Sequence, residues 1–157
     1  MATSRRGLAV PKLAKPIRAW LTVVTSYHLC DAAMAQQLAP LGVKLAEHEV
    51  LSHVLRAPGL SQQQLAERCF TAKSHISGLV AALEERGWLS RERDPDDGRA
   101  RRLQLTTEGR TIAVRTLAVQ AGIVSAMAEA VSEDELLLIE DAMSRVNERL
   151  RGLLSGA

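Results

Sequence analysis

The sequence predicts a mainly α chain with one small β-hairpin in its second half. Three observations predict this class. Aromatic residues are only 3% of the 157 residues and apolar residues 46%, so the core is built from Leu, Val, Ala and Ile, which suit helices packed on helices. Apolar residues recur at three- and four-residue steps along most of the chain, the period of an amphipathic helix. That period gives way once to short strand-like runs, on either side of the turn-rich Asp94-Pro95-Asp96-Asp97-Gly98.

Taken in order, residues 1–14 read as a disordered basic arm. Pro16 suits the first turn of a helix, where a missing N–H costs nothing. Ile17, Trp20, Leu21, Val24, Tyr27, His28, Asp31, Met34 and Leu38 then follow a helical period as far as Pro40 and Gly42, with Asp31 interrupting the apolar stripe. A second helix, about 45–56, turns Val50, Leu51, Val54 and Leu55 inward and stops at Pro58-Gly59. Ser61 and Gln64 form a capping box that opens a third helix. After a turn at 69–71, a fourth runs over about 72–86 and closes on Gly87. Residues 88–93 and 101–106 are the strands of the hairpin. Two helices finish the chain, about 107–131 and 132–154. Ser132 and Glu135 make a second capping box, and Leu136, Leu137, Ile139, Met143, Val146 and Leu150 give the last helix an inner face.

The net charge of +2 says little, but its distribution is informative. Residues 86–110 hold seven Arg against five acids, whereas residues 129–151 hold three Arg against seven acids. A basic middle and an acidic end suit a protein that turns one face to phosphates. Cys30 and Cys69 form no CxxC, which excludes a zinc ribbon or disulfide framework. No apolar run approaches the roughly 18 residues of a membrane span, and no secretory signal opens the chain, so a cytoplasmic location is expected. His48 and His53 stand at i and i+5 rather than the i and i+4 of a metalloprotease helix. Without a phosphate loop, paired carboxylates or a Ser/His/Asp order, neither an enzyme nor a resident cofactor or metal is expected.

Helix, turn, helix and then a basic hairpin is a winged helix-turn-helix, occupying about residues 44–106. Its fourth helix leaves Lys73, Ser74, His75, Ser77 and Gly78 outward, short donors and one cation suited to double-stranded DNA in the major groove. Arg91, Arg93, Arg101 and Arg102 are placed for phosphates. The flanking helices, about 15–40 and 107–154, carry more apolar surface than one lobe can cover, which predicts a homodimer within a single-domain chain spanning 1–157.

The chain resembles the MarR family of transcription regulators from about Ile17 to Leu154. The resemblance is carried by Glu49-Val50-Leu51, Ser61-Gln62-Gln63-Gln64-Leu65-Ala66, Ser74-His75-Ile76-Ser77-Gly78-Leu79-Val80 and Leu83-Glu84-Glu85-Arg86-Gly87-Trp88-Leu89. Most specific are Arg91-Glu92-Arg93-Asp94-Pro95-Asp96-Asp97-Gly98-Arg99 and Leu103-Gln104-Leu105-Thr106-Thr107-Glu108-Gly109. It implies a dimer with interlocked first and last helices, acting as a ligand-responsive repressor on a pseudo-palindromic operator. It implies that Arg99 enters the minor groove and that Asp97 pairs with Arg91 or Arg93 to hold the wing. It places an aromatic effector beside helix one, near Trp20, Tyr27 and His28. Gly98 and Gly78 depart from the family, which has a second arginine and a contacting side chain at those places. The alternatives are a winged helix that binds protein, a redox-responsive member using Cys30, or a zinc-responsive one using His28, His48 or His53.

Overall fold

A computed structural model of the chain describes residues 15–94 and 101–156. The order is α1 (Lys15–Leu38), a 3-10 turn (Ala39–Leu41), α2 (Leu45–Arg56), α3 (Gln62–Arg68), α4 (Lys73–Glu85), β1 (Leu89–Arg93), β2 (Arg101–Leu105), α5 (Thr107–Ala128) and α6 (Glu133–Ser155). The mainly helical chain with one antiparallel hairpin is the class that the composition and periodicity predict. The basic arm at 1–14 lies outside the described residues.

Local chemistry explains the boundaries. Ser61 Oγ accepts from the Gln64 N–H at 3.1 Å while Gln64 Oε1 accepts from the Ser61 N–H at 3.0 Å, starting α3. Ser132 and Glu135 start α6 in the same way. Gly87 closes α4 with φ +70°, the left-handed conformation a glycine adopts freely. The two last helices are a few residues shorter at their junction than expected, because the backbone leaves the helix at Glu129 and re-enters at the Ser132 cap.

The main core sits in the middle of the chain. Val50, Leu51 and Val54 of α2, Leu65 of α3, Ile76, Val80 and Leu83 of α4, Leu89 of β1 and Leu103 of β2 close it, with Ile112 and Ala113 of α5 against one side. The register pairs Leu89 with Leu105, Arg91 with Leu103 and Arg93 with Arg101. Leu103 also exchanges two backbone hydrogen bonds of 2.9 Å with Gly59 and Leu60, so the hairpin base is stitched to the loop before α3. A smaller core joins Met34 and Leu38 of α1 to Ile123 of α5.

Thr106 organises the passage from hairpin to α5. Its hydroxyl accepts from the Gly109 N–H at 2.9 Å and donates to the Gly87 carbonyl at 2.7 Å. Gly109 is pressed so closely on β1 that a Cβ there would stand 1.7 Å from the Trp88 carbonyl oxygen.

Two expectations need correction. α5 is long and apolar enough, by length and composition, to cross a membrane, although no single uninterrupted apolar run exists. Ala, Gly, Thr and Ser are interleaved with its Ile, Val and Leu, so scanning for a continuous run misses it. One stripe of this helix (Ile112, Ala113, Thr116 and Ile123) is buried against the rest of the chain. The expected inner face of α6 is not covered within one chain: Leu136, Leu137, Ile139, Val146 and Leu150 are all exposed.

Candidate nucleic-acid interface

α3 and α4 meet in a tight turn, and α4 presents two faces. Ile76, Val80 and Leu83 are fully buried. Lys73, Ser74 and His75 of its first turn are exposed, as expected for residues that reach a groove. The N-cap, Ala72, supplies no side-chain oxygen, and the first turn holds no acid, so the positive end of the helix is left open to anions. A Cβ added at Gly78 would meet nothing within 4 Å, so packing does not require that glycine and the bare backbone there admits a close approach.

Ser77 differs from expectation. It is half-buried and its hydroxyl donates to Gln62 Oε1 at 2.7 Å, bracing α4 against α3 instead of pointing outward. The helical wheel put it on the polar face, but the close crossing of α3 brings Gln62 over that edge.

The wing separates its arginines into two kinds. Arg102 grips the Asp94 carboxylate at both oxygens, 2.7 and 2.9 Å, and is a brace across the hairpin and not a free phosphate donor. Arg91 is paired with Glu84 at 3.1 Å, tying the strand to the end of α4. Arg93 and Arg101 stand opposite each other, both exposed. Like charges in direct cross-strand register are unfavourable unless an anion lies between them, and a phosphate supplies one. Asp97 and Arg99 lie outside the described residues. Among the described residues the hairpin is braced by the pair Asp94 with Arg102.

A further junction binds the interface together. Glu47, buried at the start of α2, accepts both from the Lys44 N–H at 2.9 Å and from the Arg86 guanidinium at 3.0 and 3.1 Å. Arg86 also donates to the Gly42 carbonyl at 2.9 Å and lies 3.6 Å above the Trp88 ring. One side chain thus joins the ends of α1 and α4 to the starts of α2 and β1.

A cavity of about 280 Å³ opens between α1, α2 and α5. Tyr27 lines it with Asp31, His48, Glu49, Ser52, His53, Arg56 and Gln120. Trp20 and His28, expected beside Tyr27, do not line it: both are exposed on α1, and His28 meets Tyr27 edge to face at 5.6 Å. The missed lining is a stripe on α2 at i, i+1, i+4, i+5 and i+8 from His48, a helical spacing that was available in the sequence. His48 and His53, far apart by simple angular count, nevertheless border the same space because the cavity wraps round that face of α2. Among the described residues no group of three or more His, Cys, Asp or Glu side chains is arranged to hold a metal. Burial, joined by Glu49, pushes the Cys69 thiol up to about 11, so it stays protonated and unreactive at neutral pH.

Burial holds the His48 pKa below its usual value despite a hydrogen bond with Gln120. Burial does the same at His53, against the pull of Glu49. With these pKa values depressed, the unfolded chain binds more protons below the unfolded value of about 6.5. The stability contributed is therefore complete above that pH and is lost as pH falls through it. The midpoint of thermal unfolding is expected to drop between pH 7 and pH 5, and less steeply in His48→Gln. Identical pH slopes for the two proteins would remove His48 from the account.

Residues 41–100 match the family model of the MarR family. The chain is 35% identical over 66 residues to the transcriptional regulator HosA of Escherichia coli O111:H-, covering 42% of this chain and 49% of that protein. It is 33% identical over 82 residues to the HTH-type transcriptional repressor Rv2887 of Mycobacterium tuberculosis H37Rv, covering 52% and 59%. In sequence, then, it spans about half the length of the curated relatives it matches. Its fold is similar to the crystal structure of the PcaV transcriptional regulator of Streptomyces coelicolor in complex with its natural ligand. The TM-score is 0.70 at 27% identity, over 90% of this chain and 98% of that one.

Proposed function

We propose that the chain is a MarR-family, homodimeric, sequence-specific DNA-binding regulator, most simply a repressor, and not an enzyme; the family model matching residues 41–100 and the fold similar to PcaV support this. The observation that carries this is the continuous face formed by the open N-terminus of α4 with Lys73, Ser74 and His75, followed by the opposed pair Arg93 and Arg101 on the wing. A duplex offers what both need, base edges for the helix and phosphates for the wing. The exposed apolar stripes of α1 and α6 supply the dimer contact, and a second copy of the chain sets the two α4 helices at a fixed separation. The cavity bordered by Tyr27, His48 and Arg56 is the place for a small aromatic effector, with hydrogen-bonding groups on α1, α2 and α5 and an opening to solvent. PcaV, of similar fold, was crystallised with its natural ligand, which supports a ligand-responsive reading here.

Selection from random duplexes tests the proposal. The enriched sequence is expected to be a pseudo-palindrome whose half-site centres lie about 34–36 Å apart, one turn of duplex, and the protein is expected to sediment as a dimer. No enrichment, or a monomer at micromolar concentration, would overturn it. A winged helix that binds protein instead would enrich no duplex at all.

A further inference from the structure

Phe70 is the only phenylalanine in the chain, and it stands in an unusual place. The turn after α3 is closed by two backbone hydrogen bonds, Phe70 N–H to Glu67 at 3.3 Å and Thr71 N–H to Ala66 at 3.1 Å. That pattern requires a left-handed residue between them, a position glycine normally takes. Phe70 takes it with φ +49°, the one non-glycine residue with positive φ among the described residues. A bulky aromatic in this region is strained. Among the described residues no side-chain packing offsets the strain, because the side chain is 96% exposed. Phe70 borders a groove of about 210 Å³ that Val50, Ile76 and Leu79 also line, yet it remains 96% exposed and is not packed into it.

The other large exposed apolar side chains sort differently. Among the described residues every one of them lies on α1, α5 or α6, the helices assigned to the dimer contact. Phe70 alone lies in the winged lobe, three residues before the first residue of α4. Both unfavourable features therefore coincide at the border of the face that carries Lys73, Ser74 and His75. Strain held at one such spot points to use outside the chain.

Resting on the DNA-binding reading above, we propose that Phe70 is a further duplex-contacting residue that packs its ring on the apolar edge of the bound duplex beside α4. Two sources share that chemistry, the 5-methyl group of a thymine and the carbons of a deoxyribose. The left-handed backbone turns the ring outward and holds it there. Such a contact adds affinity without neutralising a phosphate.

The experiment compares wild type, Phe70→Gly and Phe70→Leu on the selected duplex at several salt concentrations. Phe70→Gly is expected to bind roughly tenfold more weakly, with Phe70→Leu between, while its unfolding midpoint equals or exceeds that of wild type because glycine suits the turn. The slope of log affinity against log salt is expected to be unchanged, since no phosphate contact is lost. Replacing thymines one at a time with deoxyuridine separates the two sources. If one replacement weakens wild type and leaves Phe70→Gly unaffected, the ring meets a methyl group. If none does, it meets a sugar. Equal binding by wild type and Phe70→Gly overturns the proposal, as does a loss of affinity accompanied by a lower unfolding midpoint. If wild type itself binds no duplex, it is the DNA-binding reading that fails, a separate outcome.

Discussion

Duplex binding is expected to weaken by roughly 10³–10⁵-fold as salt rises from about 50 to 200 mM, provided a dimer neutralises about six to ten phosphates. The lower figure follows from the described residues. Lys73, Arg93 and Arg101 are exposed, and three cations on each of two protomers give six. Arg91 and Arg102 are already committed to Glu84 and Asp94, so they add little to the count. Each phosphate contact contributes about −0.9 to the slope of log affinity against log salt, because binding releases condensed counterions. Arg101→Ala is expected to flatten the slope by close to two such contributions in the dimer. A binding curve insensitive to salt would leave the exposed arginines without an electrostatic role and would favour a protein partner.

Gly109→Ala is expected to destabilise the protein by about 3 kcal/mol or more, read as a lower midpoint in urea. The sign is the informative part. In an ordinary helix, replacing glycine with alanine stabilises by roughly 0.5–1 kcal/mol, because glycine loses more backbone freedom on folding. Here the added carbon would lie 1.7 Å from the Trp88 carbonyl oxygen, a backbone atom with no freedom to swing aside. Relief requires moving the first turn of α5 away from β1. That motion breaks the Thr106 cap at 2.9 Å and the 3.2 Å bond from the Thr106 N–H to Trp88. An unchanged or raised midpoint would mean that α5 does not approach the hairpin so closely. Since α5 joins the winged lobe to the helices that carry the dimer contact, the same substitution also alters how the lobes are presented.

The parts of the fold legible in the sequence were those set by neighbours along the chain. Ser61 with Gln64 and Ser132 with Glu135 mark helix starts three residues apart, and Gly87 marks an end. The Asp-Pro-Asp-Asp-Gly run separates two short strands for equally local reasons. What escaped depends on atoms brought together from far apart. Ser77 shares the polar side of its helix with Lys73 and Ser74, and only the crossing of α3 assigns it to Gln62. Arg102 reads like any other wing arginine until the hairpin register brings Asp94 within reach. Tyr27 was legible as a cavity residue, but Trp20 and His28 were not separable from it, since three residues on one helix look alike without the neighbouring α2. Glu47 and Arg86 are 39 residues apart, and no local pattern pairs them. The spacing of the glycine in Leu-x-Leu-Thr-x-x-Gly was visible as a motif, whereas its reason, the Trp88 carbonyl, was not.

The Arg86 junction determines which kinds of motion are open to the molecule. Its bonds run to Gly42, which closes the 3-10 turn before α2, to Glu47 inside α2 and onto Trp88 at the hairpin's base, and all of them end on one guanidinium. Glu47 is almost wholly shielded from water, so separating the pair leaves a buried carboxylate with only the Lys44 N–H to partner it, which is unfavourable. The pair therefore couples the C-terminal end of α4 to the start of α2. On the reading proposed above, a molecule lodged against the α2 wall of the cavity would push on a helix clamped to the reading helix and to the base of the wing. Under that proposal α2, α4 and the base of the wing would move together, since one guanidinium joins them. Release of a duplex by such a movement would come from misaligned reading helices and not from unfolding of either one.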